Sequence, residues 1–366
     1  MKSIIILTDS ICKIGGIESL IYIKANYWTK IKNYKIDIIT TEQQGRNPLF
    51  EMDNRIGLHD LSTNFDRNSS YFGPKNLLKV FKNYIRLQKY INKLNPDIII
   101  IANHIPVTFF FPFLQTKAKI VKEFHFSKFY ISKAKKSLFK KYESYLEKKL
   151  DHIVVLNEEE REFYMTNNVV VIPNPIVKSA KDSNVKKREL VAMAAGRIAP
   201  IKRFDVLLDV WSKFSKVNKA WKLQIYGDGD TSYMEMIKHK IRTLQLSDSV
   251  ELMGSVTNIQ EIMQTAGLYL MTSSQECFPM VLLEAQAAGL PIIAFDCPTG
   301  PRNIIENAYN GILVPNDDQD EFVAQLNSLT SNENIRNKLA ANGIDSCQQY
   351  TLEKIMEIWD LEIINA

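Results

Sequence analysis

Residues 266–296 read AGLYLMTSSQECFPMVLLEAQAAGLPIIAFD, and their pattern is strand, polar turn, short helix, strand. Gly267 to Thr272 is a brief apolar run bounded by polar residues, the mark of a strand buried on both faces of a parallel sheet. Pro279 suits the first position of a helix, and Gly289 suits the position just past its end. Ile292 to Phe295 is apolar again and supplies the returning strand. Glu276 falls in the loop at the first strand's carboxyl end, where open α/β sheets bind ligands. The backbone N–H groups of Phe278, Met280 and Val281, around Pro279, form an anion site at the start of the helix. Glu284 stands inside that helix among Val281, Leu282, Leu283, Ala285, Ala287 and Ala288. A carboxylate near an apolar face is costly without a partner. Taken alone, Glu284 also fits a single exposed helical position.

Outward from this unit the second half keeps alternating. Leu190 to Ala195, Lys222 to Tyr226 and Val250 to Met253 are further strands separated by helical patterns, which makes a doubly wound sheet. The first is followed by GRIAPIKRFD (196–205), where Arg197 and Lys202 flank a turn that opens a helix. Two cations there can neutralise a diphosphate, and arginine can grip it bidentately. A plain surface pair of cations is the alternative. YGDGD (226–230) contains Asp228 and Asp230 at the spacing of a metal-binding DxD, a reading we reject because Arg197 and Lys202 already supply the positive charge. Gly300, in DCPTGPRNIIENAYNGILVP (296–315), lies in a loop at the same sheet edge as Glu276.

The paired glutamates in ECFPMVLLEAQAAGLPIIA (276–294) resemble the signature of glycosyltransferase family 4, retaining enzymes that use sugar nucleotides. The resemblance implies an α/β protein of GT-B fold, with two Rossmann-like doubly wound domains facing across a cleft and a C-terminal helix returning to the first domain. It implies that Glu276 lies against the donor sugar, where it positions the sugar and stabilises its cationic character. Glu284 then hydrogen-bonds the nucleotide's ribose. The order strand, GR, turn, K, helix matches the family's diphosphate site, which assigns Arg197 and Lys202 to the leaving phosphates. Three positions depart from the pattern: Cys277 and Arg203 stand where glycine is usual, and Asn303 where glutamate is common.

The first half opens with a strand from Ser3 to Asp9, then SICKIGG (10–16) and a helix from Ile17 to about Ile31. Gly15 and Gly16 allow close backbone approach at a helix N-terminus, and the family has a Gly-Gly loop here, near the donor diphosphate. The turn does not match GxGxxG, which counts against a dinucleotide oxidoreductase. Ile36 to Thr40 is the next strand, and 42–70 reads as a polar, irregular loop. Strands follow at Asp97 to Ala102, Ala118 to Glu123, His152 to Leu156 and Val169 to Ile172. His125, in KIVKEFHFS (119–127), matches the family histidine that approaches the donor sugar, with Phe126 where an acid is frequent. A satisfied core histidine is the alternative for His125 and for His104.

Between Pro74 and Pro96, Lys75, Lys79, Lys82, Arg86, Lys89 and Lys93 fall on one helical face. Leu78, Phe81, Ile85 and Leu94, with Tyr84 and Ile91, supply the apolar side. The helix reads as either a solvated surface or a membrane-facing element. From Ser127 to Leu150 the chain is basic and aromatic, with Lys128, Lys133, Lys135, Lys136, Lys140, Lys141, Lys148 and Lys149 opposed by Glu143 and Glu147. Such a stretch suits anionic lipid. Nucleic acid would use similar residues, but the net charge of +5 is modest, so an anionic membrane surface is the expected partner.

The 366 residues are a length for about two domains. PNPIVKSAKDSNVKKRE (173–189) is the boundary, giving 1–178 as an acceptor-binding domain, 179–348 as the nucleotide-sugar domain and 349–366 as the returning helix. No signal peptide or membrane span is read, so the expected location is the cytoplasm, peripheral on the inner face of the cell membrane. Four cysteines without CxxC spacing suggest neither disulfides nor zinc. The expected activity is transfer of galactose, N-acetylgalactosamine, N-acetylglucosamine or glucose from a UDP-sugar to a glycan or a polyprenyl-diphosphate-linked acceptor. Cell-surface polysaccharide or lipopolysaccharide synthesis is the expected setting, with no cofactor or metal. The alternative is a non-catalytic membrane-associated protein that binds nucleotide or glycan on the same scaffold.

Overall fold

The computed structural model describes residues 1–13, 15–66, 69–129, 138–177 and 188–366. The chain divides into two units, Met1–Asn174 with Glu353–Ala366, and Pro175–Leu352. The boundary drawn at residue 178, like Lys133, Lys135 and Lys136, lies outside the described residues.

Unit 1 is a seven-stranded sheet in the order β3-β2-β1-β4-β5-β6-β7. Its strands are β1 (Ser3–Thr8), β2 (Lys35–Thr40), β3 (Gly57–Asp60), β4 (Ile98–Ile101), β5 (Lys119–Glu123), β6 (His152–Val155) and β7 (Val169–Val171). All pairings are parallel. The central strands carry the most continuous apolar runs because both faces are covered. Ile4 to Leu7 and Ile98 to Ile101 are buried throughout. Unit 2 repeats the plan with six parallel strands in the order β10-β9-β8-β11-β12-β13. These are β8 (Val191–Ala195), β9 (Lys222–Tyr226), β10 (Val250–Gly254), β11 (Leu268–Met271), β12 (Ile292–Asp296) and β13 (Ile312–Pro315). In each sheet the strand order reverses beside the first strand, between β1 and β4 and between β8 and β11. A reversal of this kind opens a crevice at the strands' carboxyl ends.

The structure corrects several expectations. The stretch 42–70 is not all loop: β3 extends the sheet alongside β2, and the His59 ring nitrogen Nε2 sits 2.7 Å from Asp37 Oδ1. Gly-Leu-His-Asp is a short, half-buried edge strand with no apolar run to reveal it. β13 was likewise hidden inside a loop reading. The helix after Glu276 spans Met280–Ala287, so Pro279 is its N-cap and not its first residue. Gly289 sits past the helix end at φ +62°, the left-handed conformation glycine adopts readily.

The helix Pro74–Leu94 divides the apolar side read from the sequence, with Ile91 buried and Leu78, Phe81 and Ile85 exposed. Its buried residues are Asn76, Asn83, Leu87 and Ile91. Asn76 donates to the carbonyls of Asp66, Ser69 and Ser70, and Asn83 donates to Thr63 Oγ1, so both hold the preceding loop. Leu77, Leu78, Phe81 and Ile85 are exposed.

Residues Glu353–Ala366 fold with unit 1. Trp359 is buried edge-on to Trp28 with ring centroids 5.7 Å apart, and Asp360 accepts Lys32 Nζ at 2.8 Å.

In unit 2 the half-buried Arg188 guanidinium donates to the carbonyls of Met263, Ala266, Ala288 and Gly289. It thereby satisfies the carboxyl ends of the helices that flank β11.

Candidate active site

In unit 2 the loops after β8 and β11 flank the reversal of strand order. The loop after β8 is tied down by backbone. Ile198 N donates to Asp228 O at 2.9 Å, and Asp230 N donates back to Ile198 O at 3.1 Å. A Cβ on Gly229 would sit 1.9 Å from Ile198 O, so only glycine lets the GDG turn run against the loop carrying Arg197. Asp230 caps the helix Thr231–Thr243 by accepting from Tyr233 N, which gives this carboxylate a structural task. Among the described residues, no cluster of three His, Cys, Asp or Glu side chains could hold a metal ion.

The short turn Pro200–Lys202 is fastened to the end of β11. Thr272 Oγ1 donates to the carbonyls of Lys202 and Arg203, and Ser274 N donates to Ile201 O. Those bonds place Lys202 Nζ 2.6 Å from Glu276 Oε1. Arg197, on the loop that leads into this turn, is exposed and meets no carboxylate among the described residues. Arg203 takes φ +52°, which costs a non-glycine residue on the order of 1 kcal/mol, and its guanidinium pairs with Asp317.

Glu276 is also held from the far side. Thr299 Oγ1 donates to its carbonyl at 3.0 Å, and a Cβ on Gly300 would lie 2.4 Å from Glu276 Cβ. Beyond it the first-turn amides of Met280 and Val281 have no acceptor earlier in their own helix. Glu284, one turn further along, is half-buried. Burial pushes its carboxyl up to about 7, so a ligand that donates hydrogen bonds would favour its ionised form. Buried Cys277 and Cys297 line the same loops. The Cys297 thiol is pushed up to about 12 by burial and then by the neighbouring Glu276, and it stays protonated.

In unit 1, Gly15 is the N-cap of the helix Gly16–Lys30, and its carbonyl accepts from Ser19 N. Glu18 lies in that first turn, with its carboxyl raised by burial. His125 stands two residues past β5, its side chain almost wholly buried, with Nε2 3.4 Å from Glu123 Oε2. Gly15, Gly16 and His125 therefore belong to one unit, and Arg197, Lys202, Glu276, Phe278 to Val281 and Glu284 to the other.

Two family models match the two halves of the chain. "Glycosyltransferase Family 4" covers residues 14–179, and "Glycosyl transferases group 1" covers 177–346. The chain belongs to the family 4 glycosyltransferases. It is 26% identical over 364 residues to an uncharacterized glycosyltransferase of Haemophilus influenzae, covering 98% of this chain and 99% of that one. It is 26% identical over 379 residues to the amylovoran biosynthesis glycosyltransferase AmsD of Erwinia amylovora, covering all of both. A crystal structure of a Staphylococcus aureus TarM variant with fondaparinux, alpha-GlcNAc-glycerol and UDP superposes with a TM-score of 0.80 at 18% identity over the full length of both, a likeness of fold.

Sequence reasoning on this glycosyltransferase missed residues whose role is to hold others. Thr272, Thr299 and Glu123 carry no motif of their own. Thr299 had one available signal, its place beside Gly300 in a loop at the same sheet edge as Glu276. Glu123 sits at the end of an apolar strand, where a carboxylate calls for a partner.

Proposed function

We propose that this glycosyltransferase moves a hexose from a UDP-sugar to a glycan or lipid-linked acceptor, with retention of anomeric configuration, in cell-surface polysaccharide or lipopolysaccharide synthesis. The observation that carries the reading is the meeting of Lys202 and Glu276 at the strand-order reversal of unit 2, with Arg197 exposed on the loop that leads into the same turn. The bond that breaks joins the anomeric carbon to a diphosphate oxygen. The bond that forms joins that carbon to an acceptor hydroxyl oxygen, and the hydroxyl proton is released. Negative charge grows on the leaving diphosphate, where Arg197, Lys202 and the amides at Met280 and Val281 offset it without a resident metal. Glu276 positions the sugar and stabilises the positive character that develops on it. Glu284 accepts from the ribose hydroxyls. The family resemblance assigns His125 to the sugar and the Gly15–Gly16 turn to the diphosphate. AmsD's place in amylovoran biosynthesis supports the setting, and the UDP in the TarM complex supports the donor.

The acceptor is proposed to be met at an anionic membrane on its inner face. Lys128 is less available for lipid than its sequence suggests, because its ammonium is 2.6 Å from Glu147 and lies over the Tyr164 ring. The helix Pro74–Leu94 gives stronger support, with Leu78 74% exposed and Phe81 63% exposed beside its row of cations. No described helix is long and apolar enough to cross a membrane.

The deciding experiment is calorimetric titration with UDP, GDP and ADP in excess chelator, repeated for Glu284→Ala, followed by anomeric analysis of the product by NMR. UDP binding without metal, weakened by the substitution, and a retained anomeric configuration are expected. Folded protein that binds no nucleotide would overturn the reading.

A further inference from the structure

Beside the sheet of unit 1, four charged or titratable side chains are buried together without being surface ion pairs. Lys24, from the helix Gly16–Lys30, and Glu123, at the end of β5, are each about 3% exposed. They meet with Lys24 Nζ 2.5 Å from Glu123 Oε2. The same carboxylate oxygen lies 3.4 Å from His125 Nε2. Lys122, buried on the opposite side of the strand, donates to Asn103 O at 2.7 Å and to Ile101 O at 3.3 Å. On its other side Lys24 Nζ sits 4.6 Å from the centroid of the Trp359 ring, within cation–π reach. A continuous series of contacts therefore runs from the C-terminal segment to the histidine: Trp359, Lys24, Glu123, His125.

We infer that Lys24 and Glu123 are positioning residues that set the tautomer and charge of His125, holding it neutral with Nε2–H toward Glu123 and Nδ1 as the acceptor. This rests on the reading of His125 as a residue of sugar transfer. Its first support is geometric. Nδ1 is buried and meets no hydrogen-bond partner among the described residues, while Nε2 faces a carboxylate. A neutral imidazole facing a carboxylate donates toward it, which leaves the lone pair on the other nitrogen. Its second support is electrostatic. Glu123 would draw a proton onto His125 if it stood alone, but Lys24 already neutralises it. Glu123 is held down to about 2, chiefly by Lys24 acting against the cost of burial. His125 is lowered by burial first, with Lys24 and Lys122 adding to that and Glu123 opposing. Lys24 and Glu123 thus lie on the His125 side of β5, while Lys122 acts from the opposite side of the strand with its own ammonium lowered by burial to about 7.

Removing either partner should move His125 in opposite directions. In Lys24→Met, Glu123 is left as a lone buried anion that His125 can neutralise, so the His125 pKa rises by about one unit or more. In Glu123→Gln the favourable carboxylate is lost and Lys24 remains, so it falls. The measurement is the NMR titration of the five histidine side chains of the whole protein, with nitrogen shifts reporting the tautomer. His125 is assigned with His125→Gln. Should a single variant fail to fold, the double Lys24→Met, Glu123→Gln removes both charges, and loss of the single Nε2–H tautomer is expected. Transfer assays on the same variants should show kcat falling with little change in donor KM, with the limb of the pH profile following the NMR value. Shifts of the same sign, no shifts, or an unchanged tautomer in the double variant would overturn the coupling. Opposite shifts with an unchanged pH profile of transfer would overturn the positioning role and, separately, the assignment of His125 to the reaction.

Discussion

Lys202 and Glu276 lie 74 residues apart in the chain and meet at 2.6 Å, with side chains 24% and 11% exposed. Under the proposed function a donor diphosphate shares Lys202 with that carboxylate. Glu276→Gln releases the lysine, so UDP binding is expected to hold or tighten while turnover falls by about 10²–10³-fold. Lys202→Met should weaken UDP and turnover together. Calorimetry beside initial rates separates the two, and equal loss of binding and turnover in Glu276→Gln would remove Glu276 from the sugar.

If Glu284 takes the proposed ribose contact, its raised carboxyl ties nucleotide binding to stability. Between the ordinary value of 4.5 and about 7, the folded protein holds a proton that the unfolded chain releases. That stabilisation is whole below the lower value and is lost as pH rises through the upper one. Glu284→Gln should therefore melt higher than the parent at about pH 8 and alike at about pH 4.5, by roughly 2–4 °C for each kcal/mol relieved. UDP affinity of the parent should fall as pH drops below about 7, by up to about tenfold per unit, and be weak and flat in the variant. A parent with pH-independent affinity would argue against an ionised Glu284 as the ribose acceptor.

Gly300 and Gly229 test two kinds of close approach. Gly300→Ala places a Cβ 2.4 Å from Glu276 Cβ and 3.1 Å from the Glu276 backbone C and O, atoms that move only with the loop carrying Glu276, so turnover should drop at least about tenfold and the melting temperature should fall as well. Gly229→Ala meets a backbone carbonyl, so the turn itself must shift. That variant should lose more than about 2 kcal/mol of stability, with UDP affinity lowered as well. Differential scanning calorimetry with rates on both variants checks both outcomes.

Membrane docking through the helix Pro74–Leu94 predicts that Leu78→Asp and Phe81→Asp leave the melting temperature unchanged, since both side chains already face solvent. Each should weaken binding to phosphatidylglycerol vesicles by about tenfold or more, from the loss of roughly 1.5–3 kcal/mol of apolar burial. Lys82→Gln and Lys89→Gln should each remove about 1 kcal/mol and leave binding to phosphatidylcholine unaffected. Cosedimentation gives both numbers, and equal binding to the two lipids would exclude the cationic row from the contact.

The central strands and the glutamate pair could be read from the chain because their signals are local. Strands covered on both faces, such as Ile4 to Leu7 and Ile98 to Ile101, run apolar, and Glu276 and Glu284 are joined by one turn and the first half of one short helix. β3 escaped because an edge strand of four residues needs no apolar run, only the pairing that β2 offers. The helix Pro74–Leu94 is open to two readings in the sequence because its apolar residues do not share one fate: Leu87 and Ile91 are buried beside the loop-holding asparagines at 76 and 83, while Leu78, Phe81 and Ile85 are exposed. Thr272, Thr299 and Glu123 depend on contacts between distant segments, which spacing along the chain cannot reveal. Arg203 shows a departure from a pattern that the fold absorbs: the backbone keeps glycine's conformation and the new guanidinium finds Asp317.

The burial of Trp359 against Trp28 bears on how the protein is made. Residues 353–366 leave the ribosome only after the whole of unit 2, yet they belong to the core of unit 1. Unit 2 can reach its final packing during synthesis, while the earlier-made unit waits with Trp28 and Lys24 uncovered. A nascent chain stalled in between exposes that surface to chaperones and proteases, so quality control can sense whether residues 353–366 have been made.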